Sequence, residues 1–195
     1  MAKRKDVIVI AGPSGSGETT FTNELMLAYP NFVRAVTATT RPPRTGEKDG
    51  VDYYFFDMER FFEEVQNGNI QEHTYVRSRD AHYGGYIPDL EDKLNAGKTV
   101  IINTERSGAE YYKKNYGATT IFIKPKSLDV LRDRIIRRDS HITDLEVDKR
   151  MLQAMQEIVD AQGSYDYVVF NTDGEFAETV LSVIDILKRE GYKVA

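Results

Sequence analysis

Cysteine is absent from this 195-residue chain, which excludes disulfide bonds, thiol nucleophiles and thiolate metal sites. No stretch approaches the ~18 consecutive apolar residues that a membrane span needs, and internal repeats and low-complexity tracts are also lacking. The net charge is only -5, so the chain has no overall attraction for nucleic acid or for an acidic membrane surface. We therefore expect neither a nucleic acid polymer nor a membrane as partner, and any anion site must come from local arginines.

The N-terminal segment "MAKRKDVIVIAG" has basic residues before an apolar run, as a signal peptide does. That run is about six residues long, against the ~7–15 of a signal core, so we interpret it as a first strand. Together with the missing cysteine, this predicts a soluble, cytoplasmic protein. The composition, 41% hydrophobic and 29% charged, is that of one globular domain with one sizeable core.

Short apolar runs alternate with stretches long enough for helices. The four runs with the character of buried strands are residues 7–10, 99–102, 120–123 and 167–170. This alternation predicts an α/β fold with a parallel sheet flanked by helices. Residues 34–86, rich in turn formers and then in aromatics, are expected to form short strands and loops of an inserted substrate-binding lobe.

Two stretches near the C-terminal end carry apolar residues at helical spacing. The first comprises Met151, Leu152, Met155, Ile158 and Val159, and the second comprises Phe176, Val180, Ile184 and Leu187. Amphipathic helices of globular proteins usually turn such stripes toward the core. We therefore predict that both helices face the core rather than a partner.

The segment "GPSGSGETT", residues 12–20, follows the first strand directly. Phe21, Leu25 and Ala28 then fall at helical spacing and stop before Pro30, which completes a strand, loop and helix. The loop fits the phosphate-binding pattern G-x-x-x-x-G-K-[ST] except that Glu18 replaces the lysine. The predicted contacts are Gly12, Ser14, Gly15, Ser16, Gly17, Glu18, Thr19 and Thr20, with the Thr19 hydroxyl as a ligand of Mg²⁺. A plain glycine-rich turn stays open as the alternative, because the mismatch lies at the most informative position.

Glu18 places a carboxyl group where the pattern requires a cation that reaches the β- and γ-phosphates. At an effective dielectric constant of ~20, one charge pair at ~4 Å is worth about 4 kcal/mol, so the exchange could cost about three decades of rate. Three alternatives remain open. Glu18 either turns outward to pair with an arginine, or meets the metal instead of the phosphate, or is an engineered substitution.

A second anion site is predicted in "TTRPPRTGEKDGVDYYF", residues 39–55. Arg41 and Arg44 flank a rigid Pro-Pro, and guanidinium forks bind phosphate in a bidentate manner. The segment closely resembles the guanylate kinase signature T-[ST]-R-x-x-R-x-G-E-x-x-G-x-x-Y-x-F. The resemblance runs from about residue 7 to residue 173 and includes "YG" at 83–84, "GA" at 108–109, "RDRIIRR" at 132–138, "KRM" at 149–151 and "YDYVVFN" at 165–171.

The resemblance implies a P-loop NTPase-type fold and a defined reaction. The core would comprise about residues 1–36, 97–130 and 160–195, the GMP-binding lobe about 37–96, and a helical lid about 131–159. Guanylate kinases transfer the γ-phosphoryl group of Mg-ATP to GMP. ATP and GMP are thus the implied substrates and Mg²⁺ the implied cofactor, whereas the oligomeric state is not predicted.

The resemblance also implies roles for individual residues. The GMP-binding positions are Thr37, Arg41, Arg44, Tyr53, Glu72, Tyr83 and Glu105. Arg134, Arg138 and Arg150 match the lid arginines that, with Arg41, carry catalysis by neutralising the transferring phosphoryl group. Asn171 matches a position near adenine, and an asparagine that satisfies turn backbone is the alternative.

Several positions depart from the family pattern. Besides Glu18, the family's D-x-D reads Asn103-Thr104-Glu105, and Gly85 stands where the family has a hydroxyl residue. The segment between Glu72 and Tyr83 is also about two residues longer than the resemblance predicts. These departures favour, as the alternative function, a weak or inactive module that binds GMP or a phosphorylated partner. His73, His82 and His141 lack metal-ligand spacing and are given no role.

Overall fold

The computed structural model describes residues 5–13, 15–138, 142–172 and 174–194, apart from the side chains of Ser78 and Arg138. The strands are β1 (Val7–Ala11), β2 (Phe32–Arg34), β3 (Thr37–Thr39), β4 (Tyr54–Phe55), β5 (Ile70–Val76), β6 (Ala81–Tyr86), β7 (Thr99–Asn103), β8 (Thr119–Pro125) and β9 (Tyr167–Asn171). The helices are α1 (Glu18–Ala28), α2 (Met58–Gln66), α3 (Ile87–Asn95), α4 (Arg106–Tyr116), α5 (Leu128–Arg138), α6 (Asp144–Asp160) and α7 (Phe176–Arg189). No helix in these ranges is long and apolar enough to cross a membrane.

The chain divides into two compact units, residues 1–32 with 101–195 and residues 33–100. The larger sheet has the strand order β2-β7-β1-β8-β9. β1 pairs with β8 and β8 pairs with β9, both in parallel. All four predicted strands and the α/β class are confirmed. The division into core, GMP lobe and lid stays a prediction.

The core of the first unit lies on both faces of the parallel sheet. All five residues of β1 are buried, as expected for a strand covered by helices on each face. On one face, Phe21 and Leu25 of α1 and Leu187 of α7 pack on the sheet. The predicted α1 is confirmed, and it ends at Ala28, although Ala28 itself is exposed.

α5 and α6 pack on each other through a separate apolar cluster. Leu131, Ile135, Val147 and Ala154 are its buried members. The predicted inward stripe of α7 is confirmed, with Leu187 fully buried. The predicted inward stripe of α6 is wrong in part, because three of its members lie on the exposed side of the helix: Leu152, Met155 and Val159, with exposed fractions of 67%, 44% and 58%. The periodicity correctly found a helix, and Met151 and Ile158 do pack against buried clusters.

The second unit contains a four-stranded sheet of order β4-β3-β6-β5. β3 runs antiparallel to β6, and β6 runs antiparallel to β5. Ala38, Phe56, Phe61 and Ile70 form its core. The expectation of short strands and loops was incomplete, because α2 also lies here. Asp57 caps its N-terminal end, and the Asp57 side chain accepts from Arg60 N.

Candidate nucleotide-binding sites

The glycine loop joins β1 to α1 in a conformation that depends on glycine. Gly17 has φ of 98°, a region that side chains disfavour, and a Cβ there would lie 2.7 Å from Asn171 Nδ2. A Cβ on Gly12 would lie 2.3 Å from the Ile123 carbonyl oxygen. The turn is closed by Ser16 N donating to Pro13 O. Ser14 lies outside the described residues.

Two side chains predicted to serve nucleotide binding contact the backbone of this loop. The buried Asn171 donates from Nδ2 to Ser16 O at 2.7 Å. The Arg134 guanidinium approaches Gly15 O and Ser16 O at 3.4 Å and donates to Asn171 O at 3.2 Å. The Asn171 contact matches the alternative reading of that residue, an amide that satisfies turn backbone. Arg134 brings a positive charge to the loop.

Glu18 begins α1 and lies near enough to two other carboxyl groups, those of Glu157 and Glu105, for their charges to act on it. It is half-buried, and Ser16 Oγ donates to its Oε1 at 3.5 Å. Burial and then the charge of Glu157 raise the pKa of Glu18 to about 8, the hydrogen bond from Ser16 opposes them, and the charge of Glu105 adds a smaller rise. Among the described residues Glu18 has no ion pair with an arginine. The side chain is therefore mostly neutral at pH 7.

Glu18, Glu105 and Glu157 also change the pKa values of groups near them. Burial and then Glu105 raise the pKa of Glu157, although a hydrogen bond from Gln153 opposes them. Burial, followed by Glu18, Glu105 and Glu157, raises the pKa of Tyr165 to about 12. Glu105, predicted to contact GMP, is the exposed residue that precedes α4 in the first unit. The loop thus adjoins a region of excess negative charge.

Asn103 uses both ends of its amide within the first unit. Its Nδ2 donates to Ile10 O at 3.2 Å, and its Oδ1 accepts from Thr22 Oγ1 at 3.2 Å. An ionised aspartate could not donate to the Ile10 carbonyl. The departure from an acid at this position therefore fits the local hydrogen bonding between β1, β7 and α1.

The remaining residues of the first site are less constrained. Thr19 and Thr20 are exposed at the start of α1.

Arg150, one of the predicted lid arginines, is half-buried on α6. It helps to lower the pKa of the Glu146 carboxyl, although the hydrogen bonds from Thr143 have the stronger effect. Arg138 ends α5, and its side chain is outside the described part of the structure, as is His141. Within the described ranges, no group of three His, Cys, Asp or Glu side chains is arranged to hold a metal ion.

In the second unit, Arg41 is held by Glu47. Arg41 Nη2 donates to both Glu47 carboxylate oxygens, at 2.8 and 2.9 Å, and Nη1 donates to Pro42 O at 2.7 Å. Glu47 Oε2 also accepts from Arg44 N at 2.7 Å. The Arg41 hydrogen bond, followed by that of the Arg44 backbone, lowers the pKa of Glu47. Glu47 therefore fixes the loop that carries both predicted phosphate-binding arginines.

Two tyrosines join Arg41 in a cluster. The Tyr53 ring lies 5.4 Å from Arg41 Cζ, and the Tyr53 and Tyr83 ring centroids are 5.8 Å apart in an edge-to-face arrangement. The Tyr83 hydroxyl is buried without a hydrogen bond of regular geometry to any described residue. Burial alone would raise the pKa of Tyr83, but the polar groups of Arg79, Arg41 and Thr39 outweigh it, and the pKa is lowered.

The two residues predicted to face guanine lie on strands that flank β6. Thr37 on β3 pairs with Gly85 on β6, and Glu72 lies on β5 beside His73, which pairs with Gly84. Both side chains are half-buried. The register thus brings Thr37 and Glu72 to opposite sides of one glycine pair.

Sequence reasoning assigned no role to three residues that the structure places at these sites. Glu47 is part of the quoted signature, so its motif position could have revealed it. Glu157 lies far in sequence from Glu18, and only the fold brings the two carboxyl groups near each other. Arg79 is close to Tyr83 in sequence, but its approach to the Tyr83 ring depends on the turn before β6, which no local pattern predicted.

A parallel sheet, a glycine loop at the end of its first strand and a helix after the loop define a nucleotide-binding P-loop fold of the kinase type. The family model for guanylate kinase matches residues 4–190. The chain belongs to the guanylate kinase family.

Individual relatives agree over almost the whole chain. The chain is 35% identical to the guanylate kinase of Protochlamydia amoebophila over 182 residues, 93% of this chain and 90% of that protein. It is 37% identical to the guanylate kinase of Clostridioides difficile over 172 residues, 88% of this chain and 82% of that protein. The crystal structure of guanylate kinase from Anaplasma phagocytophilum superposes with a TM-score of 0.72 at 33% identity, covering 99% of this chain and 90% of that one.

Proposed function

We propose that this protein is an ATP:GMP phosphotransferase in which Glu18 lowers the rate of transfer. The observation that carries the proposal is the presence of two separate phosphate-type sites in one chain. One is the glycine loop with Arg134 beside it, and the other is the cluster of Arg41, Tyr53 and Tyr83. A phosphoryl donor and a phosphorylated acceptor need two such sites, whereas a simple nucleotide-binding module needs one.

The loop is the proposed ATP phosphate site. Backbone N–H groups of a glycine loop and the N-terminus of the following helix attract anions without any side-chain charge. Arg134, held against the carbonyls of Gly15 and Ser16, supplies a positive charge next to them. Arg138 and Arg150 are the further lid arginines in the proposal. Asn171 would act through the backbone of Ser16 rather than by contacting adenine.

The second unit is the proposed GMP site. Arg41, Arg44, Tyr53 and Tyr83 would bind the 5′-phosphate, because guanidinium groups and hydroxyls donate to its oxygens. Glu72 would accept from the two N–H donors on the Watson–Crick edge of guanine, with Thr37 as a neighbouring polar group. Adenine does not present that pair of donors, so this contact selects guanine.

In the reaction, an oxygen of the GMP phosphate forms a bond to the γ-phosphorus, and the bond from that phosphorus to the β,γ-bridging oxygen breaks to leave ADP. Catalysis consists mainly of neutralising charge on the transferring group, which the arginines perform. Mg²⁺ would be held mainly by the substrate phosphates, with the exposed Thr19 hydroxyl as the protein ligand in the proposal. When bound with ATP, the ion offsets phosphate charge.

Because Glu18 replaces the lysine of the family pattern, the proposed ATP site has one cation fewer. Because the Glu18 carboxyl is mostly neutral at pH 7, it opposes phosphate less than an ionised glutamate would. It still cannot supply the attraction of a lysine, and Glu105 and Glu157 add negative charge nearby. Transfer is therefore expected to be slow rather than absent.

The carboxylate set around Glu18 also supports a second candidate function. A guanylate-kinase-like module could keep the GMP site of the second unit and lack productive ATP binding. Such a module would bind GMP, or a phosphorylated partner at the same arginines, without forming ADP. It differs from the first candidate in its lack of turnover.

An ADP-release assay with Mg-ATP and GMP, dGMP, AMP or UMP as acceptor separates these functions. The proposal predicts GMP-dependent ADP release with little or none for AMP and UMP, and GDP as the second product. GMP binding without any ADP release would instead support the module. Equal rates with all four acceptors would contradict the assigned guanine contact of Glu72.

A further inference from the structure

The 3-10 turn Arg77–Arg79 between β5 and β6 brings an additional cation to the arginine–tyrosine cluster of the second unit. Arg79 Cζ lies 5.4 Å from the centroid of the Tyr83 ring. Arg41 stands in the same relation to Tyr53, at the same distance, and the two rings are in edge-to-face contact. The rings thus form a connected pair with a guanidinium group at each.

The two guanidinium groups differ in their charge balance. Glu47 already accepts two hydrogen bonds from Arg41, so much of that positive charge is offset before any ligand binds. Arg79 is exposed, and among the described residues no carboxylate forms an ion pair with it. The neighbouring Asp80 instead accepts a hydrogen bond from Tyr75. Arg79 is therefore free to bind an anion through its fork of N–H donors.

The Tyr83 hydroxyl points to the same conclusion. It is buried but forms no regular hydrogen bond with the described residues, and a buried polar group without a partner is costly. Arg79 and Arg41 both act on this hydroxyl and help to lower the pKa of Tyr83, although burial opposes them. A ligand oxygen placed between the hydroxyl and the guanidinium groups would satisfy all of these donors.

We propose that Arg79 is a third arginine of the acceptor phosphate site and contacts the phosphomonoester dianion together with Arg41 and Tyr83. The inference rests on the proposed function, because GMP is the ligand. It adds a residue that the signature does not contain, from the segment whose length departs from the family pattern. The turn is positioned by Asp80, which has φ of 50° and donates its N–H to Arg77 O.

The proposal makes Arg79 a binding residue whose effect depends on the phosphate. Hydrogen bonds to charged groups are worth more than neutral ones, so we expect Arg79→Gln to raise the Kd for GMP about tenfold. Guanosine, which has no phosphate, should bind equally well to both proteins. Arg79→Lys keeps the charge but not the fork, and should recover part of the lost affinity.

Arg77→Gln is the matched control, because Arg77 is an exposed arginine of the same turn without a described contact to the Tyr83 ring. Calorimetric titration of the parent chain and the three variants with GMP, then with guanosine, tests the proposal without requiring turnover. It predicts that Arg77→Gln stays within about twofold of the parent. Equal GMP affinity for Arg79→Gln and the parent, or an equal loss in Arg77→Gln, would overturn it.

A measurement without nucleotide separates this inference from the proposed function. The pKa of Tyr83 is followed by NMR of ring-labelled tyrosine, with the resonance assigned from Tyr83→Phe. It should rise in Arg79→Gln and remain unchanged in Arg77→Gln, and an unchanged value in both would overturn the assigned contact. If the parent chain binds no GMP, the proposed function fails and this inference loses its ligand. If the parent binds GMP and Arg79→Gln binds it equally, only the inference fails.

Discussion

Glu18 is the first residue of α1 and stands at the lysine position of the phosphate-binding pattern. An ionised carboxyl group there would oppose the phosphates of ATP directly. In the structure, burial and the charges of Glu157 and Glu105 favour its protonated form. Of the three alternatives left open by the sequence, an ion pair with an arginine is not found among the described residues. The repulsion is therefore weaker at neutral pH than the sequence implies.

The raised pKa of Glu18 predicts a pH-dependent difference in stability. In the folded chain the carboxyl keeps its proton up to about pH 8, whereas the value without these surroundings is 4.5. The stabilisation from that proton is complete below pH 4.5 and is lost as the pH rises through 8. The glutamine of Glu18→Gln does not titrate. The free energy of unfolding of this variant, relative to that of the parent, should therefore increase as the pH rises. Because Glu18 is partly exposed to screening solvent, we expect a gain of about 2 kcal/mol between pH 5 and pH 9.

Urea unfolding of both proteins at several pH values measures this difference. Glu91→Gln, which removes an exposed carboxyl group on α3 in the second unit, is measured alongside as the control for the loss of a carboxyl group. A constant gap between Glu18→Gln and the parent from pH 5 to pH 9 would show that Glu18 titrates normally.

At Asn103 the chain departs from the acidic residue of the family's D-x-D pattern, and the hydrogen bonds of the amide explain this departure. The sequence shows only that an acid of the family pattern has become an amide. The structure shows an amide that donates to Ile10 O and accepts from Thr22. Neither contact is visible in the sequence, because the partners lie 93 and 81 positions away.

At the scale of single elements, the sequence predicted what is local and missed what depends on neighbours. The buried strands could be predicted, because strands that are covered on both faces form continuous apolar runs in the sequence. The loop and α1 followed from spacing and glycine chemistry. α6 was found as a helix, but three of its five predicted core residues are exposed, because apolar residues lie on more than one side of the helix. Its packing surface is set by α5, through Val147 and Ala154.

The packing of α5 on α6 gives a direct test of that correction. Leu131 of α5 is fully buried, whereas Leu152 of α6 is 67% exposed. Truncation of a buried leucine leaves a cavity and costs about 3 kcal/mol, while truncation of an exposed one costs about 0.5 kcal/mol or less. Leu131→Ala should therefore lower the midpoint of chemical unfolding much more than Leu152→Ala. Equal destabilisation by the two substitutions would mean that Leu152 is buried in solution.

At the scale of the whole molecule, the class of fold and the family were accessible from sequence, and the detailed site was not. The order of strand, glycine loop and helix, followed by the arginine signature, was sufficient to indicate the family now shown by the comparisons. The approach of Glu157 to Glu18 depends on tertiary structure and could not be predicted, whereas the position of Glu47 in the signature could have revealed that residue. The cytoplasmic location and the roles of the site residues stay predictions.

The proposed function requires Glu18 to limit the rate of phosphoryl transfer. Initial rates of GDP formation from Mg-ATP and GMP, measured side by side for the parent chain and Glu18→Lys, test this requirement. Glu18→Lys should be faster by about two decades or more, because a repulsive or neutral group becomes an attractive one. Equal, rapid rates would contradict it by showing that the loop lysine is dispensable here. No GDP from either protein would contradict the kinase function and support the binding module.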